Sequence, residues 1–324
     1  GEIILETGPL ESALRATDVE VSVIDMDHNS AMPARLTITT ESGSLQTVGA
    51  KSDDHLAVRP GVVYTSTGTA RFGLPAGKFT ITAGRGFEYS IARIPIEAKA
   101  GERIRRTLKI RREVPTAGYV ACDTHVHTLT HSGHGDATVK ERMITLAGEG
   151  IELPIATDHN VHIDHRPFAK QMGVTKFFTP VIGNEFTTTV GHFNIWPIAK
   201  DARVPDHRLK DWNAIHDAIF ATEGTRVAIL NHARDLHGGT TPFGAKLHTS
   251  IVGANLDNWP IRFNGMEVLN SGATQTDIMQ LFHDWMGLLN AGYRVTPVGS
   301  SDSHDVARYV VGQGRTYIRC RDDQ

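Results

Sequence analysis

The residues with the most chemical promise are histidines that stand beside acids at the ends of apolar runs. Ten of the seventeen histidines fall in such clusters, all in the last two-thirds of the 324-residue chain. His125-Val126-His127 sets two imidazoles two positions apart, and on a strand that spacing puts both on one face. Asp302-Ser303-His304 repeats the spacing with one carboxylate and one imidazole. Between them come His131 and His134, then Thr157-Asp158-His159-Asn160 with His162 and His165 just beyond, Glu185 after Pro180-Val181-Ile182, Gly191-His192 and Asn231-His232. Neutral imidazole and carboxylate are the ligands that zinc, iron and manganese take. One such cluster is weak evidence, but their recurrence is the pattern of a polynuclear metal site assembled from many strand ends. Gly-x-Ser-x-Gly does not occur, so a covalent serine mechanism has no support.

The elements that must carry these residues can be read from periodicity. From about Asp18 to Arg112 the chain alternates at period two, as in Val19, Val21 and Val23, with turn signals such as Pro75-Ala76-Gly77 between runs. That predicts a small β-sandwich, scaffold and not chemistry, with only His28 and His55 in it. After Val114-Pro115 the pattern changes. Strands are expected at 119–126, 153–156, 179–186, 192–198, 227–230, 266–269, 293–299 and 315–318. Helices are expected at 137–149, with Asp136 as its N-cap, at 212–222 and at 277–290. Alternating strands and helices predict a mainly parallel sheet closed into an α/β barrel, with the clusters at the C-terminal strand ends where such barrels keep their sites. The expected domains are 1–114 and 115–324.

Composition narrows the function classes. A formal charge of −3 with both signs interspersed argues against nucleic-acid binding. The basic run Arg103–Arg112 alternates with Ile104, Leu108 and Ile110, which reads as the exposed face of an edge strand, a phosphate patch being the alternative. No apolar stretch reaches membrane-spanning length. The start, Gly1-Glu2-Ile3-Ile4-Leu5, looks like a trimmed terminus, compatible with a secreted or periplasmic protein whose leader is absent. Cys122 and Cys320 do not make a disulfide framework and read as free thiols.

The C-terminal portion resembles the PHP (polymerase and histidinol phosphatase) superfamily. The resemblance lies in the order H-x-H, T-D-H, a glutamate, later lone histidines and a final D-x-H. His131-Ser132-Gly133-His134-Gly135-Asp136-Ala137-Thr138, Leu146-Ala147-Gly148-Glu149-Gly150 and Ala156-Thr157-Asp158-His159-Asn160 look more narrowly like its carbaryl-hydrolase-like branch. The resemblance implies a distorted seven-stranded α/β barrel behind a β-rich domain, and two or three divalent ions (Zn, Mn or Fe). It implies that His125, His127, Glu185 and Asp302 hold the first ion. Glu185 would bridge to a second held by His192 and His232, with His134, His159 and His304 holding the third.

Other roles are read from position. Asp123 and Asp158 are expected to orient ligating imidazoles. His131 is a candidate general acid, Glu185 a catalytic bridge, and Arg234 either faces an anionic substrate or pairs with Asp235. His162, His165, His237 and His248 read as surface residues. The implied activity is hydrolysis of a small-molecule phosphomonoester or diester by activated water. Carbamate or carboxylic ester cleavage is the alternative that the narrower branch implies. A rival of another class, a binding module with a decayed site, predicts lost ligands, and none of the nine is lost.

Overall fold

The structure, a computed structural model, describes residues 10–236, 240–257, 259–274 and 277–320. Two compact units divide the chain. The first runs to Thr116 and takes in Met143–Gly150 and Met172–Val174; the second is the remainder. None of the described helices is long and apolar enough to cross a membrane.

The first unit contains α1 (Leu10–Leu14) and nine strands: β1 (Thr17–Asp25), β2 (Ser30–Ala31), β3 (Ala34–Thr40), β4 (Leu56–Arg59), β5 (Val62–Thr65), β6 (Thr69–Leu74), β7 (Gly77–Gly84), β8 (Ala92–Ala98) and β9 (Arg103–Ile110). One sheet holds β2, β1, β6 and β9, and the other runs β4-β5-β3-β7-β8. Period-two alternation buries Val19, Val21 and Val23 of β1 against Leu36, Ile38, Ile81 and Ala83 of the other sheet, making one core. The basic run is β9, parallel to β1. Its Ile104, Leu108 and Ile110 point inward, while Arg103 pairs with Asp18 and Arg105 with Glu20. In this same unit the Tyr64 hydroxyl donates to buried Glu149 at 2.6 Å, and Arg35 stands 3.0 Å from that carboxylate.

The remaining elements are β10 (Tyr119–Val126), α2 (Leu129–Ser132), α3 (Val139–Gly148), β11 (Leu153–Ala156), α4 (Arg166–Gln171), β12 (Val181–Ile182), β13 (Asn184–Thr187) and β14 (His192–Trp196). After them come α5 (Trp212–Ala221), β15 (Val227–Leu230), β16 (His248–Thr249), β17 (Ala254–Asn255), β18 (Gly265–Asn270), α6 (Met279–Asn290), β19 (Thr296–Ser300) and β20 (Thr316–Arg319). They form two main sheets, β12-β11-β10-β20 and β13-β14-β15-β18-β19, plus the β16–β17 hairpin. The fold class is mixed α/β.

The expected closed, mainly parallel barrel is corrected here. Among the described residues the ladders do not close, and isolated bridges at Val126–Ser303 and His159–Glu185 stand between the sheets. β14 is antiparallel to both β13 and β15, and β20 is antiparallel to β10. Chain length is the cause. Only residues 188–191 separate β13 from β14, enough for a hairpin and far too few for a crossover.

The N-cap of α3 also differs from expectation. Thr138 N and Oγ1 each donate to Glu141 Oε2 at 2.9 Å, and Glu141 N donates back to Thr138 Oγ1, a reciprocal cap. Asp136 instead accepts from Val306 N at 2.7 Å.

α5 starts at Asp211, whose carboxylate accepts from Ala214 N, and it buries Ile215, His216 and Ile219. Trp212 stacks on Trp259 with ring centroids 4.0 Å apart, and the His216 ring lies 5.6 Å from Phe193. Burial holds His216 down to about 4 from an ordinary 6.5. Between those values the unfolded chain takes up the proton and the folded one does not, so stability falls as pH drops through that window. The loss is on the order of 3 kcal/mol. His216→Leu is expected to flatten the acid limb of urea-unfolding midpoints between pH 6.5 and 4. An acid limb identical in the variant would refute this origin.

Candidate metal centre

Six strand ends and their following loops converge. β10 delivers His125 and then His127, the turn after β11 delivers His159, and β13 carries Glu185. The loop after β15 carries His232, and the one after β19 carries Asp302 and His304. His192 begins its strand, whereas His125 and Glu185 lie within theirs and His127, His159, His232, Asp302 and His304 follow theirs. Because β14 runs antiparallel and pairs His192 with Thr187, its first residue lies beside the last of β13. His232 and Asp302 adopt left-handed backbone, with φ of 25° and 52°. Gly135 is required by packing, since a Cβ there would lie 2.5 Å from the His304 carbonyl oxygen.

Glu185 is the hub. Its Oε1 lies 3.4 Å from His125 Nε2, 3.2 Å from His232 Nε2 and 3.2 Å from His192 Nδ1. Its Oε2 lies 3.5 Å from His127 Nε2 and 2.6 Å from His159 Nδ1. Asp302 Oδ1 stands 3.3 Å from both His125 Nε2 and His127 Nε2. Four donors held roughly 2.0–2.1 Å from one zinc in a tetrahedron stand about 3.3–3.4 Å from each other. Except for His159–Glu185, which is at direct hydrogen-bond distance, the carboxylate–imidazole separations fall near that edge length. His125 Nε2, His127 Nε2 and His304 Nε2 are buried and have no hydrogen-bond partner, an arrangement that is expensive unless a cation takes their lone pairs. The residues present therefore fit divalent ions.

Three donor sets lie close enough to share an ion: His125, His127 and Asp302; His125, Glu185 and His232; His127, His159 and His304. The expected third set named His134 where the geometry places His127. His134 is exposed, its ring 4.3 Å from His304 and 5.0 Å from His159. His192 touches Glu185 but is not in a shared set; His125 completes the set with His232.

Charge follows the same map. Burial alone would raise the Glu185 and Asp302 carboxyls, but the imidazoles around them hold both well below the usual carboxylate range. Burial disfavours the charged form of His232, yet Glu185 and neighbouring acids lift it to about 9. Burial lowers His127 and takes His304 to about 4. Protons and a divalent cation thus compete for the same nitrogens.

Two orienting devices stand behind the ligands. His125 Nδ1 donates to Glu267 at 2.6 Å, which leaves Nε2 free to face inward. Glu267 is fully buried and also accepts from His232 N at 2.6 Å, Asn270 Nδ2 at 2.8 Å and Ser300 Oγ at 2.5 Å. Sequence reasoning passed over it. The available signal was a lone acid inside the apolar run Met266-Glu267-Val268-Leu269. His127 Nδ1 meets Ser132 Oγ at 3.1 Å, and that hydroxyl donates to Asp158 Oδ1 at 2.7 Å, so Asp158 acts on His127 through a serine.

Other expectations are corrected. Asp123 touches no ligating ring; it accepts from the backbone N–H groups of His125, Ser301 and Gly312. His165, expected at the surface, is buried with Nε2 3.7 Å from Asp158, and His248 is buried against Phe243 at 4.0 Å. His162 is half-buried, and His237 lies outside the described residues. His131 sits in α2 with its ring 6.0 Å from Phe168 and does not line the cavity over the site, which leaves it out of position for a general acid. Arg234 faces neither Asp235 nor the cavity. Its guanidinium is forked onto buried Asp284 at 2.5 and 2.9 Å, a partner fifty residues away.

That cavity measures about 640 Å³, and His134, His159, Glu185, His192, His232, Asp302 and His304 line it together with Asp235, Asp305, Arg308 and Tyr309. Arg308 and Tyr309 were not anticipated, although a cation four residues beyond His304 was legible.

No family model matches the chain, and no curated protein matches it. Among solved structures it is similar to a two-domain protein from Bacteroides vulgatus described as containing a predicted PHP-like metal-dependent phosphoesterase. The identity is 19%, the TM-score 0.40, and the match covers 60% of this chain and 55% of that one. This chain thus spans about half of that relative. It is also similar to the minor pilin GBS52 of Streptococcus agalactiae, at 13% identity over 31% of this chain and 45% of the pilin, TM-score 0.24. The Bacillus anthracis TIE protein matches at 24% identity over 33% of this chain and 19% of its own, TM-score 0.23. Likenesses this distant carry no argument about function.

Proposed function

We propose that this protein is a metal-dependent hydrolase that cleaves phosphoesters with activated water. The observation that carries the reading is the pair of buried, unpartnered Nε2 atoms of His125 and His127, spaced from Glu185 and Asp302 at 3.3–3.5 Å. The order of these residues, as in the PHP superfamily, supports it. On that reading β10, β11, β12 with β13, β14, β15, β18 and β19 would be the counterparts of the superfamily's seven barrel strands, in two sheets whose ladders do not close among the described residues.

His125, His127, Asp302, Glu185 and His232 would hold two ions, and His159 and His304 with His127 or His134 a third. Divalent ions so held would supply activated water near neutral pH and polarisation of the scissile oxygen. The chain's own residues set the stage for that chemistry. Glu267 fixes the His125 tautomer, and Asp158 through Ser132 does the same for His127. Glu185 ties the ligand sets together, and the walls around Thr187, Thr274 and Tyr309 enclose the substrate.

The test is metal analysis of the purified protein beside a panel of para-nitrophenyl phosphate, bis(para-nitrophenyl) phosphate, para-nitrophenyl acetate and an aryl carbamate. Two or three divalent ions per chain are expected, with phosphoester turnover that a chelator abolishes and zinc or manganese restores. Chelation should also lower the melting temperature, since a ligand at a thousand times its Kd stabilises by about 4 kcal/mol. Protein that binds no divalent ion and shows no thermal shift would defeat the reading. Full metal loading with turnover of acetate or carbamate alone would move the assignment to a carbamate or carboxylic esterase.

A further inference from the structure

We infer that Arg308 reads a second negative charge on the substrate, which makes the preferred substrate a phosphomonoester dianion and not a diester or a neutral ester. The inference rests on the hydrolase reading and names the substrate class for that site.

Among the described residues that line the 640 Å³ cavity, Arg308 is the one lysine or arginine. It makes no described hydrogen bond or ion pair; its guanidinium lies over the ring of Tyr309, 4.9 Å from the centroid. Two further cations near the ligand loops are accounted for, since Arg234 is forked onto Asp284 and Arg142 donates to the carbonyls of His127 and Ser303.

The segment that carries Arg308 is tied to the ligands. Ser303, between Asp302 and His304, donates its hydroxyl to the Tyr309 carbonyl at 2.5 Å and to the Asp305 carbonyl at 3.2 Å. Val306 N is held by Asp136 at 2.7 Å. Arg308 is therefore a cation with no described hydrogen-bond partner, close enough to Asp305 for its charge to act on that carboxyl, on an anchored loop in the same cavity as the ligand set.

A neutral ester presents no negative charge for such a group to pair with, only a carbonyl acceptor. A phosphomonoester at neutral pH carries two charges, and a guanidinium can take two phosphoryl oxygens with its fork. A diester has one charge and a second ester arm, so it profits less.

The experiment uses the full chain loaded with zinc or manganese. Arg308→Ala is expected to lower the ratio of kcat/KM on para-nitrophenyl phosphate to that on para-nitrophenyl acetate about tenfold or more. The ratio of monoester to diester falls in the same direction. Calorimetry with inorganic phosphate is expected to show binding weakened about tenfold in Arg308→Ala, with Arg308→Lys between it and the wild type, because lysine keeps the charge and loses the fork. An unchanged monoester-to-acetate ratio, or an unchanged phosphate Kd, overturns the inference. If the loaded wild type cleaves none of these esters, the hydrolase reading falls, and phosphate binding still decides the role of Arg308.

Discussion

Glu185→Gln is expected to cut turnover by about three orders of magnitude and to reduce bound metal, while the circular dichroism of the folded chain is unchanged. The magnitude follows from position. One carboxylate stands within 3.5 Å of five imidazoles, and each of the three donor sets contains at least two of them. Glutamine keeps the volume and loses the charge that offsets the ions, and that charge separates a weak site from one able to activate water. The fold should survive because the core of this unit is built elsewhere, from Phe186, Phe193, Ile195, Leu230 and Met266. His125→Ala and Asp302→Ala are expected to follow the same pattern. Near-wild-type turnover with full metal content in Glu185→Gln would show that the ions, if bound, sit elsewhere.

Glu267 carries the second large effect. Its two oxygens accept from a ligating ring, the backbone N–H of a second ligand, an amide and a hydroxyl, all in a place with no access to water. Glu267→Ala leaves those donors without partners, and loss of one member of a buried charged network costs on the order of 3–5 kcal/mol. Metal affinity is expected to fall about 10- to 100-fold, because His125 loses the carboxylate that orients it. Glu267→Gln separates the two consequences. It retains the volume and one acceptor, so stability in urea should recover more than affinity in a competition titration with a chelator. If the two recover together, Glu267 is a packing residue with no separate influence on the ions.

These two residues mark how far the sequence could be read. Glu185 was legible because it interrupts an apolar run at its end, where a strand leaves the core. Glu267 sits inside such a run, and local pattern does not distinguish a paired buried acid from an outward one. Arg234 pairs with Asp284 and Asp123 with the backbone of Ser301 and Gly312; those partners are far apart in sequence and no periodicity links them. The burial of His165 and His248 was missed for the same reason, since neither a loop nor a two-residue strand carries a period that reports its depth. The helices over 212–222 and 277–290 were placed to within two residues of their ends, because apolar stripes and flanking polar residues are local signals. The barrel was over-read. Its strands were largely found, but the direction of β14 depended on the shortness of one turn.

All four tryptophans, at 196, 212, 259 and 285, belong to the second unit, and two of them form the stack of Trp212 on Trp259. Red-edge-excited indole emission is therefore blind to the first unit, where tyrosines 64 and 89 are the only fluorophores of comparable size. A single-probe melt followed by that emission would report the unit with the candidate metal centre and silently omit the other. Paired indoles 4.0 Å apart with planes 15° from parallel also give exciton-coupled dichroism, an optical fingerprint that vanishes when α5 lets go of Trp259. Any variant of this chain thus carries its own label-free gauge of whether that unit is intact, and it needs a separate optical handle for the β-rich one.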